Sequence, residues 1–102
     1  MSDYDYRTID DVIHSRVRLA IMSYLASAHS AEFTELKKVL KVSDGNLSTH
    51  LKKLEDHDYV KTEKGFVGRK PQTMVQITED GSKAFKTYVD GIAAMLGQQK
   101  PG

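Results

Sequence analysis

Leu47, Leu51 and Leu54 recur at i, i+4 and i+7, which sets one apolar stripe on a helix. The opposite face carries Gly45, Ser48, Thr49, Lys52 and Lys53, with Asn46 at its edge. These are small hydrogen-bonding groups followed by two cations, unlike the mixed-sign charges of an ordinary solvated face. Upstream, Ile13, Val17, Ala20, Ile21, Tyr24 and Leu25 keep helical spacing. They predict a long first helix from an N-cap at Thr8 to about Ala28, with Asp10 and Asp11 in the first turn, where the helix dipole favours negative charge. His29-Ser30 ends it, and Glu32-Phe33 leaves room only for a bridge or edge strand. A second helix, capped by Thr34, is expected from Glu35 to about Lys41 with Leu36, Val39 and Leu40 facing the core. Val42-Ser43-Asp44-Gly45 breaks the pattern, and Ser43 is a good N-cap for the third helix. That helix must end near His57-Asp58, with Asp58 in the left-handed position where glycine is usual.

After Asp58 the period changes from 3.6 to 2. Tyr59–Lys64 reads as a strand and Thr73–Ile77 as its partner, with Val75 and Ile77 inward and Met74 and Gln76 outward. The stretch between them, Gly65 to Gln72, has two glycines and a proline and is expected to be a basic hairpin tip too long for a two-residue turn. Thr78 then caps a last helix through about Gly97, with Glu79 and Asp80 in its first turn. Its apolar positions include Ala84, Phe85, Tyr88, Val89, Ile92, Ala93, Met95 and Leu96. The second half, VDGIAAML, has no obvious partner within so small a body, which marks an association surface. Met1–Arg7 is expected to be a flexible arm, residues 8–97 one domain, and residues 98–102 a disordered tail. The class is mainly α (α+β): a three-helix core, a two-stranded β-hairpin wing and a C-terminal dimerisation helix at about 79–97.

Charge sharpens this picture. The chain has 102 residues and a net charge of +1, but the balance is uneven. Residues 1–36 hold three basic and six acidic groups, residues 37–70 nine and five, and residues 71–102 three of each. A basic middle on a nearly neutral chain points to a local anionic partner. The absence of cysteine excludes disulfides and thiolate metal sites, and suits a reducing, cytoplasmic setting. No apolar run approaches the ~18 residues of a membrane span, and the acidic start has no secretion-signal core. Nothing resembles a catalytic constellation: there is no Ser-His-acid setting, no glycine-rich phosphate loop and no paired carboxylates with a cleft. No enzyme activity, cofactor or metal is expected; His14, His29 and His57 lack metal-ligand spacing.

The segments SRVRLAIMSYL (15–25), FTELKKVLKVSDGNLSTHLKKLEDHDYV (33–60) and KGFVGRKPQTMVQITEDGSKAF (64–85) resemble the MarR- and ArsR-type winged helix-turn-helix transcriptional regulators of prokaryotes. The likeness is greatest to the minimal, roughly hundred-residue proteins of that group. It implies a homodimeric, sequence-specific regulator of double-stranded DNA, usually a repressor, acting on a near-palindromic operator. Helix 44–57 would enter the major groove, and wing 64–72 would lie on the backbone or minor groove. Carried over by position, the base-facing group is Asp44, Gly45, Asn46, Ser48 and Thr49, introduced by Ser43. Asp44 has two open roles, accepting from a cytosine amino group or capping the helix. Lys52 and Lys53 serve as phosphate clamps, as do Lys64, Arg69 and Lys70 in the wing, with Gln72 beside them. His50 is either a packing or helix–helix hydrogen-bonding residue or a DNA contact, and Arg16 and Arg18 brace the surface or the dimer. Val12, Ile13, Phe85, Tyr88, Val89, Ile92, Met95 and Leu96 are the expected dimer interface. The thiolate-type cysteine pair of ArsR metal sensors is missing, and Asp58 stands where such proteins usually have glycine. The alternative is a winged helix used for protein–protein assembly. No effector is identified.

Overall fold

A computed structural model describes residues 6–97. After a short 3₁₀ turn at Tyr6–Thr8 the order is α1 (Arg16–Ala28), β1 (Ser30–Glu32), α2 (Phe33–Leu40), α3 (Asp44–Asp56), β2 (Val60–Val67), β3 (Lys70–Ile77) and α4 (Glu79–Gly97). This is the winged helix-turn-helix architecture, with three antiparallel strands ordered β1-β3-β2. Met1 to Asp5 of the expected arm and the expected tail at 98–102 lie outside the described residues.

The first helix starts later than its apolar period suggests. Thr8 closes the 3₁₀ turn instead of capping a helix, and Ser15 is the N-cap of α1. The cause is Asp10, whose carboxylate accepts from Val12 N at 2.8 Å and Ile13 N at 3.1 Å. A short acidic side chain that takes these amides gives the backbone an alternative to helix. Glu32, not Thr34, stands at the N-cap of α2, and the Thr34 hydroxyl turns back to donate to Glu32. At the other end of the chain's helical part, Thr78 caps α4 as expected, accepting from Gly81 N at 2.9 Å.

Ile21, Met22 and Leu25 of α1, Leu36 of α2, Leu47, Leu51 and Leu54 of α3, and Val60, Val75 and Ile77 of the sheet are buried together. Burying side chains of this size stabilises the fold by about 1.5–3 kcal/mol each. Val39, expected among them, is half-exposed, whereas Leu40 packs against the cluster. Val12, Ile13 and Tyr88, expected at a dimer interface, are core residues of the single chain, with Ile13 fully buried. Ile13 has no surface left for a second copy, and Val12 and Tyr88 keep only 8% and 7% of theirs.

Tyr59 ties three parts of the fold together. Its N–H closes α3 on Leu54, its carbonyl accepts from Thr78 N at the start of α4, and its hydroxyl donates to Asp10 at 2.5 Å. Burial, followed by the bond to Asp10, pushes the Tyr59 phenol up to about 12. It therefore stays protonated and donating throughout the neutral range. Asp58, just before it, has φ of 59°, the left-handed exit expected from the sequence. Gly81 lies so close that a Cβ there would sit 2.0 Å from the Tyr59 carbonyl oxygen.

The hairpin differs most from expectation. Its strands continue to Val67 and Lys70, which pair, leaving only Gly68-Arg69 as the turn. Gly68 takes φ of 63°, as the first central residue of a tight type II′ hairpin turn requires. Eight-residue strands rise ~3.3 Å per residue, so the wing's outer half stands clear of the body. The wing and α4 stretch the molecule to 59 × 24 × 21 Å.

Candidate nucleic-acid interface

The leucines of α3 fix which of its residues face outward. With Leu47, Leu51 and Leu54 buried, Gly45, Asn46, Ser48, Thr49, Lys52 and Lys53 are all exposed on the other side. Ser43 anchors the start by accepting from Asn46 N at 3.1 Å. A Cβ at Gly45 would meet nothing within 4 Å, so the backbone there is open to close approach.

Several polar groups on this face already have internal partners. Asp44 pairs with Lys37 of α2 at 2.7 Å, which is neither role the sequence left open; the cap belongs to Ser43. The Thr49 hydroxyl donates to Gly45 O at 2.9 Å, leaving its oxygen to accept. Lys52 bonds Asp56 one turn on at 3.1 Å, an exposed pair of small energetic weight that a phosphate can displace. Lys53 forms no ion pair among the described residues.

His50 lies on the flank of α3 towards α1. Its Nδ1 accepts from Arg18 Nη1 at 3.0 Å, while Arg18 Nε donates to Val12 O at 2.5 Å. Burial first, then the Arg18 charge, holds the imidazole below its usual range. Of the two roles open for His50, the helix–helix hydrogen bond is the one present. Arg18 thus braces α3 against the segment that packs beneath α4, where His14 Nδ1 and the Tyr88 hydroxyl share a 2.8 Å hydrogen bond.

On the wing, Lys64, Arg69 and Lys70 are exposed and form no ion pair among the described residues, while Gln72 is half-buried. Strand alternation places Thr62 and Lys64 on the face that looks towards α3. Together with Thr73 they line a cleft of about 320 Å³ whose other wall includes Ser48 and Lys52. Glu55 and Thr62 join helix and wing directly across it at 3.1 Å. The cleft therefore brings Ser48 and Lys52 of α3 beside Lys64 of the wing, whereas Lys70 and Gln72, paired with Val67 and Gly65, alternate onto the wing's other face.

Three features escaped sequence reasoning. Lys38 and Lys41 flank a shallow hollow at the end of α2, together with Thr34, Lys37 and Val42. Both were counted in the basic block but assigned no role. Phe66 and Val67 are 73% and 60% exposed at the wing tip, where alternation alone gave no reason to expect an aromatic in solvent. The Arg18–His50 brace joins residues 32 apart in sequence, and no local pattern announces it. On α4, Val89 and Leu96 are exposed beside the partly buried Phe85, Ile92 and Met95. Among the described residues no helix is long and apolar enough to cross a membrane.

The family model for winged helix DNA-binding domains matches residues 17–96. An uncharacterized protein of Methanocaldococcus jannaschii is 40% identical over 78 residues, spanning 76% of this chain and 85% of that protein. The solved structure of a transcriptional regulator homologue from Pyrococcus horikoshii OT3 is similar at a TM-score of 0.90 and 31% identity, covering 99% of this chain and 100% of that one. A cysteine-to-serine mutant of MarR from E. coli, complexed with operator DNA, shares the fold at a TM-score of 0.66 and 23% identity, over 78% of this chain and 56% of its own.

Proposed function

The chain belongs to the winged helix DNA-binding domain family, and from that premise we propose that it is a homodimeric transcriptional regulator that binds duplex DNA sequence-specifically. The observation that carries this reading is the distribution of cations. Lys53, Lys64, Arg69 and Lys70 form no ion pair among the described residues, and they lie on, or on the wing that extends from, a helix held from behind by three buried leucines. A phosphate backbone supplies the missing charge, and the helix face between the clamps reads base edges.

Asn46 is suited to an adenine edge, and Ser48 or Thr49 to bases or phosphates. Asp44 holds α2 against α3 through Lys37 and sets the helix entry. Lys52, Lys53, Lys64, Arg69 and Lys70 are the clamps, with Gln72 on the wing's outer face beside Gly65. Residues 8–97 act as one unit, and α4 supplies the second copy. Phe85, Val89, Ile92 and Leu96 recur at i, i+4, i+7 and i+11 along a side that the protomer leaves partly open. A two-fold dimer places its reading helices about 34 Å apart, so the operator is a near-palindrome and occupancy represses.

Selection of bound fragments from random duplex DNA tests the reading in one experiment. The expected product is an inverted repeat with half-sites one helical turn apart. If each subunit neutralises about three to five phosphates, the log–log salt dependence of binding has a slope of roughly −5 to −9. A slope near zero would remove the phosphate clamps. No duplex binding at low salt would favour a protein-assembly role for the same fold.

A further inference from the structure

Phe66 is 73% exposed on the wing, a large apolar surface for which the protomer has no use. The strand register shows which way it points. Lys64, Phe66 and Thr62 alternate onto one face of β2, opposite Thr73, Pro71 and Val75 of β3. The inner end of that face is buried at Val75, and its middle overlooks Ser48 and Lys52 of α3 across the cleft. Phe66 and Pro71 continue the same face outward, one residue short of the Val67–Lys70 pair that closes the turn. The apolar pair therefore faces the side that the reading helix presents.

Its surroundings identify the occupant. Lys64 precedes Phe66 on its own face, and Arg69 and Lys70 follow in the turn and at the start of β3, so a second wing would meet like charges, whereas a polyanion with apolar walls complements both features. The minor groove of duplex DNA has that chemistry: phosphates along its rims and sugar faces along its walls. At about 6 Å wide it admits the tip of a hairpin but not its body. We propose that Phe66, backed by Pro71, enters the minor groove flanking the helix's site and packs on its sugar walls. Specificity then extends outward through groove width and deformability instead of base hydrogen bonds. This inference rests on the DNA-binding reading above.

The test uses the full chain and duplexes carrying the site that the wild-type protein selects, with the wing-contacted flanks set either to A·T or to G·C pairs. Phe66→Ala should weaken binding to the preferred flank roughly tenfold, because an apolar contact of this size is lost. It should also erase the difference between flanks. The salt slope should not change, since an apolar contact releases no counterions. Phe66→Leu should restore most of the affinity, and neither change should lower the melting temperature of so exposed a position. Equal affinity and equal flank preference for wild type and Phe66→Ala would overturn the inference and leave the DNA-binding reading intact. A shallower salt slope in Phe66→Ala would overturn it as well, because the lost contact would then be ionic. A smaller sedimenting mass for Phe66→Ala, with DNA binding unchanged, would assign the patch to a second copy instead. Failure of the wild-type protein to bind any duplex would remove both readings together.

Discussion

The reading helix and the wing offer an anionic partner two different surfaces. On α3 the helix itself is held and several of its exposed groups have partners: Ser43 caps it, Asp44 is tied to Lys37, Thr49 bonds Gly45, Lys52 bonds Asp56, and Arg18 braces its flank at His50. Beyond Glu63 on the wing no side chain is buried until Val75, and the cations form no ion pair among the described residues. The contrast teaches that position and charge are divided between the two. On the proposed reading, a helix whose backbone is fixed at its cap and flank discriminates between base edges because misplaced partners are left unsatisfied. A projecting hairpin with free cations adds affinity that depends little on sequence.

The largest effect is expected where the two regions join. Gly81→Ala would drive a methyl group into the Tyr59 backbone, and neither atom belongs to a flexible side chain. A cost of about 3 kcal/mol follows from overpacking of this kind. For a domain of this size it lowers the melting temperature by roughly 10 °C or more. A calorimetric shift of under about 2 °C would show that the joint is softer than its geometry.

Asn46→Ala comes next and separates the regions most directly. It should relax preference at one base pair of each half-site by about 1–3 kcal/mol and leave the salt slope unchanged. Arg69→Ala should do the reverse: weaken all duplexes about equally and make the slope shallower by about 1 per lost phosphate contact. Fluorescence-anisotropy titrations of both variants across salt and operator variants decide the matter. Identical behaviour would dissolve the division between reader and clamp.

The smallest effect is a pH dependence of the brace. His50 is held below its ordinary value near 6.5 by partial burial and by Arg18. Below that value the unfolded chain takes up a proton that the folded chain resists, so this contribution to stability is present above pH ~6.5 and is lost as pH falls through the lowered value. His50→Gln should flatten that part of the acid limb in denaturant titrations between about pH 7 and pH 5. An unchanged limb would mean that other groups dominate it.

The core and the third helix were largely legible because local periodicity encodes them. Three leucines and a serine cap define α3, and alternation at Val75 and Ile77 defines which face of β3 is buried. The start of α1 was not legible: Val12 and Ile13 keep helical spacing, yet Asp10 diverts their amides. The wing's length was misjudged because Gly65 and Pro71 read as loop residues. On a strand that projects into solvent neither forfeits packing, and proline is tolerated where a strand is exposed at its edge. Val12, Ile13 and Tyr88, assigned to a dimer interface, are buried within the single chain. Apolar spacing shows that a face is buried but not whether its partner is the same chain or another. Asp58 was read correctly because a short polar side chain tolerates the left-handed exit almost as well as glycine.

The two-residue turn at Gly68-Arg69 also constrains how such a wing can change over evolutionary time. Because successive side chains point to opposite faces, adding one residue to each strand would send Lys64 and Phe66 to the outer face and bring Gly65 and Val67 inward. Adding two per strand restores the faces and extends the reach by about 6.6 Å. Viable length variants should therefore be separated by four inserted or deleted residues in total. The distance from the reading helix to the tip would come in discrete steps, each moving the wing's contact along the duplex by about two base pairs.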